Sequence, residues 1–178
     1  MTRKMKASTI LFVCFAVSAA KPALAQDAAD NQTVLVGPWA IATTYKADTF
    51  ENCTMSRSVD DLNITFQRNE DGLLLSLDSP KWMLEEGEAY TVQLTTGSQE
   101  IEAKAMAASK SVTITLSDTE LNERLRTANA LEVRGEGMTL SVPLDGSAVG
   151  LERLDACYEK NLRQSPESNP FVPPAKTP

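Results

Sequence analysis

No histidine occurs anywhere in the 178-residue chain. That gap removes the side chain that most often serves as general base and as metal ligand near neutral pH. Cysteine is nearly as scarce, with only Cys14, Cys53 and Cys157 present. A structural zinc takes four nitrogen or sulfur ligands, so neither a metal nor any other cofactor is expected. Gly135-Glu136-Gly137 lacks the third glycine and the strand-loop-helix setting of a dinucleotide site, and reads as a turn. Basic residues are outnumbered, 17 against 24 acidic ones. Nucleic acid and anionic lipid both call for basic patches, so neither is an expected partner. Beyond the first twenty-five residues no apolar run approaches the ~20 residues that a bilayer span needs.

Those first residues have the layout of a secretory signal peptide over 1–25. Arg3, Lys4 and Lys6 form a basic start, Ile10 to Ala20 an apolar run, and Ala23-Leu24-Ala25 a small-residue cleavage site. Cys14 lies inside the apolar run with no small residues before it, which argues against a lipid-anchored form. Cleavage before Gln26 leaves 153 residues. It removes four bases and no acid, so 13 basic residues then face 24 acidic ones, a net charge of −11. The expected location is the periplasm, or beyond it by secretion, with no membrane span left after cleavage. An even pair of cysteines, Cys53 and Cys157, predicts a disulfide in an exported protein, two free buried thiols being the alternative. Such a bridge closes a loop of about a hundred residues and contributes on the order of 4 kcal/mol in the chain-entropy account.

Residues 26–33 are polar and read as a flexible arm, and the ordered domain is expected over 34–160. Val34 to Tyr45 reads as one strand, with Trp39, Ile41, Thr43 and Tyr45 on one face. Phe50 to Val59 follows, carrying Cys53. Leu62, Ile64 and Phe66 alternate, Asn69-Glu70-Asp71-Gly72 makes a turn, and Leu73 to Leu77 returns, forming a hairpin. The turn lacks the alternating oxygen ligands of a calcium loop. Tyr90, Val92 and Leu94 form a further strand, as do Val112, Ile114 and Leu116; Ile101, Ala103 and Ala105 make a weaker one suited to a sheet edge. Ser117 stands three residues before Glu120, a capping-box spacing that starts a short helix near 118–129. Leu131 to Leu144 forms another hairpin around Gly135-Glu136-Gly137. A second helix near 147–160 carries Leu151, Leu154, Cys157 and Tyr158 on its apolar face, with Ser147 as its cap. Residues 161–178 hold five prolines and read as a disordered tail. The fold class is therefore mainly β with some α: an antiparallel β-sandwich or a partly closed β-barrel, with the two helices late in the order.

No catalytic constellation stands out. Nothing like Gly-x-Ser-x-Gly surrounds Ser147, and Glu85, Glu86 and Glu88 offer paired carboxylates only as part of a solvated turn. Trp39 and Tyr90 fall on alternating faces and are assigned to the core. Trp82 lies beside Pro80 in a loop, where an exposed aromatic points to binding. Trp82, Lys81 and Tyr45 are the candidate binding surface.

Taken together, the Trp39 start, the Tyr90-x-Val92-x-Leu94 strand, the strand-helix-strand passage from Val112 to Val133, and Val142-Pro143-Leu144-Asp145-Gly146-Ser147 running into Leu151, Leu154 and Cys157 resemble small periplasmic proteins of the invasion-associated locus B family. The chain lacks further cysteines near the middle of the domain, where that family would have them. The resemblance spans about residues 34–158 and implies a β-rich domain closed by a helix, associated with the cell envelope, without catalytic residues. The expected function is that of a non-enzymatic exported binding or envelope-accessory protein whose partner is a protein or envelope component. The alternative is an inhibitor of a cationic hydrolase such as lysozyme, suggested by the negative charge.

Overall fold

The structure, a computed structural model, describes residues 33–46 and 49–164. The segments read as signal peptide (1–25), as arm (except Thr33) and as tail (from 165 on) lie outside the described residues. Ten strands and two helices follow in chain order: β1 Val34–Val36, β2 Trp39–Lys46, β3 Thr49–Val59, β4 Leu62–Asn69, β5 Gly72–Asp78, β6 Ala89–Thr96, β7 Gln99–Ala108, β8 Ser111–Thr115, α1 Thr119–Arg124, β9 Ala130–Arg134, β10 Thr139–Pro143 and α2 Ser147–Gln164. The run expected as one strand from Val34 to Tyr45 is instead a hairpin. Val36 pairs with Trp39 across Gly37-Pro38, and Gly37 takes the positive φ of 58° that this two-residue turn requires.

All ten strands belong to one antiparallel sheet in the order β1-β2-β3-β4-β5-β8-β7-β6-β9-β10. Laid flat, β2 and β10 would stand eight strand spacings apart, roughly 38 Å at ~4.8 Å per strand. Yet the indole Nε1–H of Trp39, on β2, donates to the carbonyl of Asp145, two residues beyond β10, at 2.9 Å. The sheet therefore curls until its two ends nearly meet, while β1 and β10 remain unpaired with each other and the barrel stays open. Curling places the alternating apolar residues of every strand except β1 in one interior. Trp39, Met55, Phe66, Leu75, Leu94, Ile114 and Leu131 are all fully buried there.

β7 lies between β8 and β6 rather than at the expected edge. Its inward residues are mostly small, Ala103, Ala105 and Ala107 following Ile101, and Ala105 is buried. Leu121 and Leu125, at the two ends of the α1 turn, are buried. The helix is capped by Asp118, whose carboxylate accepts from Leu121 N–H at 2.7 Å, and not by Ser117. After Arg124 the chain continues in helical turns to Ala128, whose N–H reaches the Arg124 carbonyl.

α2 lies across β2, β3 and β4. Ser147 is buried at its start, but its hydroxyl does not cap the helix; it donates to the Leu125 carbonyl at 2.5 Å, joining the end of the α1 segment to the start of α2. Gly150 allows close contact with the sheet, since a Cβ there would meet the Met55 sulfur at 2.5 Å. At the turn before α2, Arg57 pairs with Asp145 at 2.6 Å and lies over the Trp39 ring. Further along, Cys157 forms the expected disulfide with Cys53, their Cα atoms 6.2 Å apart. The helix runs to Gln164, four residues past its expected end, and Asn161 in that last turn accepts the Tyr45 hydroxyl at 2.7 Å.

Candidate functional site

β5 ends, β6 begins, β9 ends and β10 begins at the same end of the curled sheet. There the interior is not covered by α2. The loop from Ser79 to Glu88 folds over it instead, held by Ser79 N–H to Lys110 O, Leu84 N–H to Ser109 O and Gly87 N–H to Ala107 O. What remains is a groove of about 530 Å³, inside the range of small-molecule pockets. Trp82, Leu84, Tyr90, Val92, Met138 and Leu140 line it. Glu136, at the tip of the β9–β10 turn, stands at the rim. Glu85, Glu86 and Glu88 lie exposed between Leu84 and Ala89, both of which line the groove. The lining is mostly apolar, with Glu136 its one charged residue.

Of the three residues assigned to binding, Lys81 and Trp82 share the loop while Tyr45 stands elsewhere. Trp82 is half-buried, packed on the core side while facing the groove; its neighbour Met83 is the strongly exposed side chain of the loop, at 94%. Lys81 is exposed and engaged in an ion pair with Asp61, in the turn just before β4. That hydrogen bond and the Asp61 charge hold its ammonium above the usual lysine range, so it stays charged at any physiological pH. Tyr45 lies apart from the groove: its ring meets Phe50 edge-on at 6.1 Å and its hydroxyl is bound to Asn161. Tyr90 departs from its core assignment, since it is the second residue of β6, at the open end, and 37% exposed. Trp39 is core as expected.

A second cavity has no counterpart in the sequence reading. Between Thr44 and Tyr45 the β2–β3 register slips, so that Tyr45 pairs with Phe50 and Glu51 is an extra residue on β3. This bulge turns Phe50 toward the α2 side, against the ring of Tyr158 at 5.6 Å. It also leads β3 away from β4: the β3–β4 ladder stops at Cys53 opposite Arg68, whereas β4 runs on to Asn69 and β3 begins at Thr49. The gap is a polar cavity of about 350 Å³ between Phe50, Glu51 and Asn52 on one side and Gln67, Asn69 and Glu70 on the other, with Tyr158 and Leu162 behind. The available signal was Phe50 three residues from Cys53. Two inward residues at odd separation in one strand need an inserted residue between them.

Fold and groove together define a class: a small β-rich domain of one curled antiparallel sheet, latched by a C-terminal helix and open at one end. In architecture it is similar to the crystal structure of invasion associated protein B from Bartonella henselae, with a TM-score of 0.52 and 23% sequence identity, covering 70% of this chain and 95% of that one. The resemblance read from the sequence is thus met by a solved structure at the level of the fold. No protein-family model and no curated protein matches the chain.

Proposed function

We propose that this chain is a non-enzymatic accessory protein of the cell envelope that acts in the periplasm by holding a protein partner at the Trp82 groove. The observation that carries this reading is the groove itself, an apolar surface left uncovered at the one end of the sheet where α2 does not reach. Glu136 in the lining, with Glu85, Glu86 and Glu88 in the adjoining turn, favours a partner that inserts an apolar side chain flanked by lysine or arginine. The signal-peptide pattern of 1–25 and the Cys53–Cys157 bridge support an oxidising compartment outside the cytoplasm.

Affinity capture from a periplasmic extract on the disulfide-intact protein tests the reading, with Trp82→Ala in parallel. An envelope protein recovered by the native chain and lost with the variant is the expected result. Recovery that ignores the substitution, or no specific recovery, removes the proposal. A more specialised reading is inhibition of a cationic hydrolase, favoured by the net charge of −11 that cleavage before Gln26 would leave. Slowing of lysozyme at low ionic strength, relieved by salt, is its expected signature; an unaffected lysozyme rate excludes it for that enzyme.

A further inference from the structure

We infer that the Trp82 groove takes its partner as an extended peptide, added as a strand to the open flank of β6. This rests on the reading of the groove as a protein-binding site and names the mode of binding. β6 pairs with β7 along its whole length, from Ala89 opposite Met106 to Thr96 opposite Gln99. On its other flank it pairs with β9 only at Gln93, Leu94 and Thr95. The β9–β10 hairpin turns back at Gly135, whose N–H donates to the Met138 carbonyl. Among the described residues, no strand stands beside Ala89 to Val92 on that flank.

Strand alternation decides which backbone groups are left open there. The Glu88 carbonyl accepts from Ala107 N–H, so the even-numbered residues that follow turn their N–H and C=O toward β7. Ala89 and Thr91 turn theirs the other way, as Gln93 and Thr95 do toward β9. Two donors and two acceptors thus stand in a row beside the groove, on residues that are exposed and that line it. An open flank of this kind is a template for pairing, and proteins blunt theirs by shortness, proline or charge. The two edges of this sheet are blunted so, since β1 has three residues and β10 ends in Pro143. Ala89-Tyr90-Thr91-Val92 carries no charge, no proline and no bulge in its pairing to β7. It therefore stays fit to pair.

The groove then selects the side chains of the added strand. Tyr90 and Val92 both line it, and a strand laid beside them sends every second side chain to that same face. There Trp82, Leu84, Met138 and Leu140 offer apolar surface. Glu136, at the tip of the β9–β10 hairpin, suits a lysine or arginine near one end of the peptide. The ligand class is an extended segment, apolar at two alternate positions and basic beside them. A helix has its backbone groups bonded within itself and would leave those of Ala89 and Thr91 to water.

Nuclear magnetic resonance of the isotopically labelled, disulfide-intact protein tests this, with the end-blocked peptide Lys-Val-Thr-Val-Thr and its Phe-for-Val counterpart. With at least one of them the backbone amides of Ala89 and Thr91 are expected to shift saturably and to exchange more slowly, and the Trp82 indole to shift with them. N-methylation of both peptide threonines removes the N–H groups that would face β6, and is expected to weaken binding tenfold or more. Thr91→Pro removes a donor that bonds to no strand in the free protein, and is expected to weaken binding likewise with an unchanged urea midpoint. If that variant unfolds more easily, the N-methylated peptides decide, since they leave the protein untouched. No saturable shift at Ala89 and Thr91 with either peptide overturns the inference, and so does binding that N-methylation leaves unchanged. A Trp82 response in either case leaves the groove reading standing, and that reading falls only by the capture experiment with Trp82→Ala.

Discussion

Gly150 is the point at which α2 and the sheet come closest. Alanine there would gain the ~0.8–1.0 kcal/mol by which it exceeds glycine as a helix former. Its Cβ would, however, stand 2.5 Å from the sulfur of Met55, a fully buried side chain. Overfilling a packed interior costs about 1–3 kcal/mol, so the steric effect exceeds the helical one. Gly150→Ala is expected to lower stability by about 1 kcal/mol in urea unfolding. In a Met55→Val background the same change should cost less, the difference being read from a double-mutant cycle. Single residues were also where the sequence was hardest to read. Trp39 was legible as core because it opens an alternating run. Tyr90 has the same alternation and yet faces solvent, because its strand begins at the open end of the sheet. Period-two patterning tells which side of a strand a residue occupies; it does not tell whether that part of the side is covered. Asn52 gave no sign of its burial, since a polar residue beside a cysteine in a strand is ordinary until the bulge is known.

Among the elements, the hairpins were the most legible, because Asn69 to Gly72 and Gly135 to Gly137 punctuate clean alternation with turn residues. The β1–β2 hairpin was missed although Gly37 and Pro38 mark it, since β1 is only three residues long and mostly exposed. The helices were recognised, but not what joins them. Ser147 invites a capping role by its position, whereas it spends its hydroxyl on Leu125, 22 residues earlier in the chain. That bond orients α2 as it leaves the sheet, together with Leu144 N–H to Asn129 O. Ser147→Ala would leave a carbonyl in a buried place without its donor, at a cost of about 1–3 kcal/mol. The expected outcome is a loss of that size in the urea midpoint with little change in helix content by circular dichroism. A Ser147 that acted as a helix cap would instead show reduced helix signal.

For the whole molecule, the feature that binds the architecture together is the bridge between β3 and α2. It joins residues 104 apart in sequence, a loop for which the chain-entropy account gives about 4.7 kcal/mol. Set against the 5–15 kcal/mol of a typical domain, that is a large share. Reduction is expected to lower the midpoint of thermal unfolding by roughly 10–20 °C, at about 2–4 °C per kcal/mol for a chain of this size; scanning calorimetry with and without dithiothreitol checks it. A change of only a degree or two would mean that packing of α2 on Trp39, Met55 and Ile41 suffices. The pairing could be read from the sequence because only two cysteines remain beyond the signal-like segment. The curl of the sheet could not, since it depends on how nine strand pairings add their twist and on the Trp39 bond to Asp145, two residues that nothing in the sequence relates. The same bridge also gives the protein a mechanical character. Pulled from its two ends, the oxidised chain can pay out only the segments outside Cys53 and Cys157. The 104-residue interval between them, roughly 360 Å of extended backbone at ~3.5 Å per residue, stays closed under tension until the sulfur link is cut. A chain so built can be tugged or partly unravelled while most of its sheet, from Cys53 in β3 to β10, remains a tethered loop that needs only to refold in place.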